Sequence, residues 1–190
     1  MAAERDPARQ ADATVRLVQR AQGGDREAFV ALVRAHDERL RGLAYQLLRD
    51  PDLMDDVLQE AYLRAFRALP RFEARAGFGT WLHRIAYNAC MDELRRRRRR
   101  PWLRFAESGL EEEPAPDEPL DDRAARSSAV RAALAALRPE ERAAVWLVDA
   151  EGRDYREVAE LTGVAEGTVA SRLNRARTGL RRALTEERTG

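Results

Sequence analysis

The stretch DYREVAELTGVAEGTVASRLNRARTGLRRAL, residues 154–184, decides how this chain folds. Asp154 followed by Glu157 has the spacing of a capping box, in which each side chain satisfies a backbone N–H at a helix start. Val158, Ala159 and Leu161 give that helix a face to bury. Thr162-Gly163 stops it, because glycine tolerates the left-handed conformation at a helix C-terminus. A second helix carries Val169, Leu173, Ala176, Leu180 and Leu184 at steps of four, three, four and four. At about 100° per residue these side chains fall on one stripe. Ser171, Asn174, Arg175 and Thr178 fall opposite, and no acid lies between Arg172 and Arg182. The pattern is a helix-turn-helix with a polar, basic outer face. Such a face meets phosphates and base edges in a DNA major groove. A solvated basic face on an ordinary helical hairpin is the plainer alternative, so the remaining residues must discriminate.

Ahead of this pair, Arg123 to Leu137 reads as a helix. Arg138-Pro139-Glu140-Glu141 opens another, since proline suits the first turn and acids suit its positive end. That helix holds Ala144, Trp146, Leu147 and Val148 and ends near Gly152. Further upstream, Phe29, Leu32, Val33, His36, Leu40, Leu43, Ala44 and Leu47 keep helical spacing, which predicts one long amphipathic helix from Asp25 to Arg49. Asp50-Pro51 breaks it, because the proline ring disfavours an α-helical residue before it. Leu53, Val57, Leu58, Ala61, Ala65 and Leu69 make the next helix, whose outer face carries Asp52, Asp55, Asp56, Gln59 and Glu60. Pro70 ends it, and a loop runs from Arg71 to Gly79. Thr80 is then expected to cap a helix that continues through Leu94 into Arg95–Arg100 and stops at Pro101. No segment reads as a strand.

The 190 residues suit one or two small domains. A net charge of +1 says little about partners, but its distribution says more. From Arg71 to Arg104 ten arginines face only Glu73, Asp92 and Glu93, whereas Ala106 to Asp122 holds eight acids and no base. That acidic strip contains Pro114, Pro116 and Pro119 and has the composition of a linker, too polar to support a core. All 34 Lys/Arg positions are arginine, which with the abundant alanine reflects codon bias from a GC-rich genome. The expected fold is therefore all-α: two small helical domains joined by a flexible acidic linker, the C-terminal one a helix-turn-helix. Residues 1–14 form a disordered N-terminus, 15–105 the first domain, 106–122 the linker and 123–190 the second domain.

Cys90 is the only cysteine, so no intrachain disulfide can form, which fits a reducing cytoplasm. Its place within a predicted helix suits a packed thiol. His36 and His83 show no zinc spacing, and neither a metal nor a cofactor is expected. The apolar stretches are too short to cross a bilayer, and the N-terminus lacks the apolar core of a signal peptide. A cytoplasmic protein without membrane insertion is expected.

The helix after the 71–79 loop has two stripes. Leu82, Ile85, Ala86 and Ala89 form its core side, and Trp81, Arg84, Asn88 and Arg95 lie about a quarter-turn away. An aromatic ring, guanidinium groups and an amide can stack on a base, neutralise phosphates and read a base edge. The loop, with Phe72, Arg75, Gly77 and Gly79, has room to cup an unstacked nucleotide. Trp81 reads equally well as a core residue. The six adjacent arginines repel one another and call for an anionic partner, either nucleic acid or the chain's own acidic strip.

Two separate motifs carry a family resemblance. Asp56-Val57-Leu58-Gln59-Glu60-Ala61-Tyr62, then Thr80-Trp81-Leu82-His83-Arg84-Ile85-Ala86-Tyr87-Asn88 and Asp92-Glu93-Leu94-Arg95-Arg96, resemble region 2 of bacterial extracytoplasmic-function (ECF) sigma factors. Arg138-Pro139-Glu140-Glu141-Arg142, Glu151-Gly152 and Gly167-Thr168-Val169-Ala170-Ser171-Arg172-Leu173-Asn174-Arg175-Ala176-Arg177 resemble their region 4. The similarity runs from Asp25 to Leu184. It implies a protein that binds core RNA polymerase, directs it to promoter DNA and helps open the duplex. By the same resemblance, Asp56, Gln59 and Glu60 become the contact to the β′ clamp helices, and the second domain meets the β-flap tip. Phe72, Arg75, Gly77, Trp81, Arg84, Asn88 and Arg95 would hold the −10 element, with a flipped base trapped on the non-template strand. Thr168, Ser171, Arg172, Asn174, Arg175 and Arg177 would serve the −35 element, with Arg177, Arg181 and Arg182 on phosphates. The acidic linker would follow the path of RNA in the polymerase, and an anti-sigma factor would control the protein by covering the faces polymerase uses. Ala170 departs from the family, which is often basic there, so the −35 sequence is expected to differ from the common one.

Three rivals fit less of the chain. A DNA-binding regulator that never joins polymerase leaves the acidic 52–60 face without a role. An enzyme acting on nucleic acid lacks a metal cluster, a nucleophile beside a base and a phosphate-binding glycine loop. A purely structural helical protein leaves the arginine run unexplained.

Overall fold

The structure, a computed structural model, describes residues 7–74, 76–99 and 122–186, and among them all regular structure is helical. The chain divides into two compact units, Met1–Cys90 and Met91–Gly190, so the division falls inside a helix. The acidic strip up to residue 121, and Arg75 in the loop, lie outside the described residues.

The first unit begins with α1 (Pro7–Gln22), α2 (Arg26–Arg34) and α3 (Asp37–Leu48). Residues 7–14, expected to be disordered, are helical: Pro7 suits a first turn, and the alanines and Arg9 and Gln10 that follow are strong helix formers. Val18 and Ala21 of α1 are buried, and the helix packs on α2. The single helix expected over 25–49 is broken at Ala35-His36. Both pieces point the same apolar face inward, so the spacing of Leu32, Leu40, Leu43 and Leu47 survives the break. The bend turns the His36 ring away from that stripe, to 5.9 Å from the ring of Phe78 and 6.2 Å from that of His83.

Arg49 closes α3 in the left-handed conformation (φ 59°), and Asp50 then caps α4 (Pro51–Ala68), its carboxylate accepting from Leu53 N at 3.0 Å. Pro70 follows in a short 3-10 turn, Leu69–Arg71. The next helix, α5 (Phe78–Arg99), starts two residues before Thr80, with Trp81 N donating to Gly77 O at 3.1 Å. Thr80 is therefore inside the first turn, not its cap. Burial of Phe78 and a tight approach at Gly79 draw the helix back to this point. A Cβ added at Gly79 would sit 2.7 Å from the His36 ring, so only glycine fits there without a shift. His83 is fully buried, and its Nδ1–H donates to Gly79 O at 2.7 Å.

The second unit contains α6 (Asp122–Ala136), α7 (Pro139–Val145), α8 (Tyr155–Thr162) and α9 (Glu166–Glu186). A wider π-helical turn, Trp146–Ala150, extends α7. Helix α9 packs against all three of the others, with Val169, Leu173 and Ala176 buried. Arg142 is also buried, and its Nη1 donates to the carbonyls of Leu134, Ala135 and Leu137 at 3.1–3.2 Å. A helix C-terminus leaves its last carbonyls without partners, so one buried guanidinium closes the end of α6. No helix among the described residues is long and apolar enough to cross a membrane.

Candidate nucleic-acid interface

The helix-turn-helix forms by the local rules its sequence obeys. Asp154 accepts from Glu157 N at 2.7 Å, and Glu157 accepts from Asp154 N at 3.1 Å. Gly163 turns left-handed (φ 70°) and its N–H donates to Ala159 O at 2.8 Å, which ends α8. Val158 and Leu161 on α8 and Val169 and Leu173 on α9 are each 1% exposed or less, so the two helices are locked by a dry seam.

Of the candidate contacts on α9, Ser171, Asn174, Arg175 and Arg177 are exposed, and Thr168 and Arg172 are half-buried. Ser171 Oγ donates to Thr168 O at 2.9 Å, a local bond that leaves its oxygen able to accept. Arg175 and Arg177 point to nearly opposite sides, since two residues turn a helix by about 200°. Arg175 Nε is 3.0 Å from a Glu141 carboxylate oxygen on α7. Arg177 lies over the π-helical turn, 2.6 Å from Asp149, whose hydrogen bond and charge hold the guanidinium even more firmly protonated. Thr168, Ser171, Arg172 and Arg175 thus share a face, Asn174 borders it, and Arg177 sits at the far flank.

In the first unit the loop before α5 is anchored at its base. Gln22, at the end of α1, donates through Nε2 to Leu69 O (3.1 Å) and Phe72 O (2.9 Å). Phe72, Phe78 and Trp81 form an aromatic cluster, with Trp81 centroid distances of 4.8 Å to Phe72 and 5.5 Å to Phe78. The open question at Trp81 resolves between its two readings: one side of the half-buried ring packs in this cluster while part stays exposed. Phe72 is likewise half-buried. Gly77, Arg84, Asn88 and Arg95 are exposed. Gly79, assigned to the loop by sequence, belongs to α5 and serves the close approach of His36.

The arginine run does not stand bare. Arg95 pairs with Asp92 at 2.8 Å, and Glu93 receives Arg96 at 2.7 Å and Arg97 at 3.1 Å. The hydrogen bond from Arg96, foremost, lowers the Glu93 carboxyl below its usual range. Spacing of three and four along a helix brings these charges together, so mutual repulsion within the run is smaller than a linear reading implies.

On α4, Asp56, Gln59 and Glu60 are all exposed. Glu60 pairs with Arg64 at 2.9 Å and the neighbouring Asp55 with Arg41 at 2.7 Å. Gln59 also borders an apolar groove of about 280 Å³ between α2 and α4, lined by Phe29, Val30, Leu63 and Phe66. Val30 and Leu63 are each 45% exposed. The sequence reading missed this groove, although both residues stand off the core stripes of their helices, which was the available signal.

Residues 32–100 match the Sigma-70 region 2 family and residues 127–180 match the Sigma-70, region 4 family. The chain is 41% identical over 170 residues to the ECF RNA polymerase sigma factor SigM of Mycobacterium tuberculosis, covering 88% of this chain and 82% of that one. Among solved structures, it is similar to the sigma factor RpoE of Bartonella quintana in complex with the anti-sigma factor NepR (27% identity, TM-score 0.63, 83% of this chain and 96% of that one). It is also similar to CnrH in complex with the cytosolic domain of CnrY (28% identity, TM-score 0.66, 92% and 98%).

Proposed function

This chain belongs to the ECF sigma factors and is an alternative sigma factor, and on that premise we propose how its surfaces divide the work of starting transcription. Helix α9 enters the major groove of the −35 element, with Thr168, Ser171, Arg172, Asn174 and Arg175 toward base edges and backbone. Arg177, at the flank, meets phosphate. The loop before α5 and its exposed face (Phe72, Arg75, Gly77, Trp81, Arg84, Asn88 and Arg95) hold the −10 element as single strand. Trapping an extruded base there favours the melted state, so binding energy drives opening without ATP.

Asp56, Gln59 and Glu60 contact the β′ clamp helices of core RNA polymerase. The apolar groove beside Gln59 supports this reading, because exposed Val30 and Leu63 give an acidic face the dry centre that protein interfaces need. The second unit also takes the β-flap tip. RpoE of Bartonella quintana is held by an anti-sigma factor, and we infer the same class of control for this chain.

The observation that carries the proposal is the separation of faces: exposed basic surfaces on α5 and α9, and an exposed acidic one with an apolar groove on α4. Run-off transcription with purified core polymerase on a library of promoter fragments tests it. Discrete start sites that depend on the added chain are expected; no chain-dependent transcript on any template would sink the proposal.

A further inference from the structure

We infer that Glu141, which lies on α7 outside the helix-turn-helix, is a positioning residue that sets the base preference of Arg175. The inference rests on the reading of α9 as the −35 helix. The Glu141 side chain is 12% exposed, whereas Arg175 is 57% exposed. Its carboxylate has a separate task for each oxygen. Oε2 accepts from Arg138 N at 3.4 Å, at the start of its own helix, and Oε1 accepts from Arg175 Nε at 3.0 Å, across 34 positions of sequence. A guanidinium carries five N–H donors in a fixed plane. With Nε held, its two terminal nitrogens meet no acceptor among the described residues and project as a fork. A long arginine side chain otherwise spreads over many rotamers, and fixing it beforehand lowers the entropy lost on binding. The anchored form also favours end-on, two-point contact with the O6 and N7 edge of guanine over a single contact to any phosphate. Glu141 thereby raises the selectivity of a residue it touches without touching DNA.

Glu141→Gln isolates this role. Glutamine can still accept from Arg138 N, but it offers one oxygen where Glu141 uses two, and its amide N–H₂ opposes a guanidinium. The full chain is assembled with core RNA polymerase, and the wild type selects its preferred −35 element from a randomised promoter pool. Affinity is then measured on that promoter and on its single-base variants. Arg175→Ala should flatten the preference at one or two base pairs by about tenfold. E141Q should flatten the same positions in part, leave the others intact and add nothing in the R175A background. Glu141→Asp, which keeps the charge but retracts the carboxylate by one methylene, should fall between. A preference that R175A abolishes but E141Q and E141D leave intact overturns the inference alone. So does an E141Q effect that is equal on every promoter, in either direction, or that persists in R175A. A preference unmoved by R175A removes the base-reading premise as well.

Discussion

Arg142 occupies a site that by burial belongs to an apolar side chain, and its charge is satisfied by three carbonyls at the end of α6. Removing it would take a charged donor from all three carbonyls and leave Leu134 O with the Leu137 N–H at 3.2 Å. Arg142→Ala should cost about 3 kcal/mol, at the level of hydrogen bonds to a charged group. Urea unfolding of the full chain measures this; a loss below about 0.5 kcal/mol, the level of an ordinary surface substitution, would show that water replaces the guanidinium. Cys90 tells the opposite story, of a polar group kept neutral. Burial pushes its thiol up to about 12 from an ordinary 9.0. The folded state therefore favours the protonated thiol, and the stability tied to it is complete below pH 9.0 and declines as pH rises toward about 12. At pH 8 the native thiol should react with an aromatic disulfide reagent about 100-fold more slowly than in the urea-unfolded chain. Equal rates would mean that the site opens freely.

The helices differ in how far their own sequences specify them. Helix α8, its turn and α9 were legible because a capping box, a left-handed glycine and an apolar stripe all act within a few residues. The bend at Ala35-His36 and the early start of α5 were not, because each depends on the other: His36 leaves α3's stripe to cover Gly79, and Gly79 admits it. This coupling is testable. Gly79→Ala would place a methyl 2.7 Å from a ring already packed near Phe78 and His83. It should lower stability by about 1–3 kcal/mol, as overpacking does. In a double-mutant cycle with His36→Ala, most of that loss should vanish; full additivity in thermal melts would break the coupling.

For the molecule as a whole, the exposed faces proposed to meet partners can be altered at little cost to the fold. Asp56, Gln59 and Glu60 stand out from α4, so Gln59→Ala with Glu60→Ala should leave the melting temperature within about 2 °C of wild type. The same pair should weaken assembly with core RNA polymerase by about tenfold, and unchanged affinity by fluorescence titration would remove this face from the interface. Asn88→Ala should slow promoter opening more than it weakens initial binding, because an extruded base is available only after melting. Stopped-flow kinetics that found both steps reduced alike would instead make Asn88 a contact to duplex DNA.

What the chain's sequence determined by itself is the all-helical class, the helix-turn-helix and the identity of its polar faces. Periodicity, caps and turn glycines are short-range properties, and each names a helix and its outer side from neighbouring residues alone. Only the tertiary structure decided which of those outward residues are held and by what. Arg175 meets Glu141 across 34 positions and Arg177 meets Asp149 across 28, while Gln22 reaches Phe72 across 50. No local pattern encodes such pairings, because they exist only once packing has brought distant helices together.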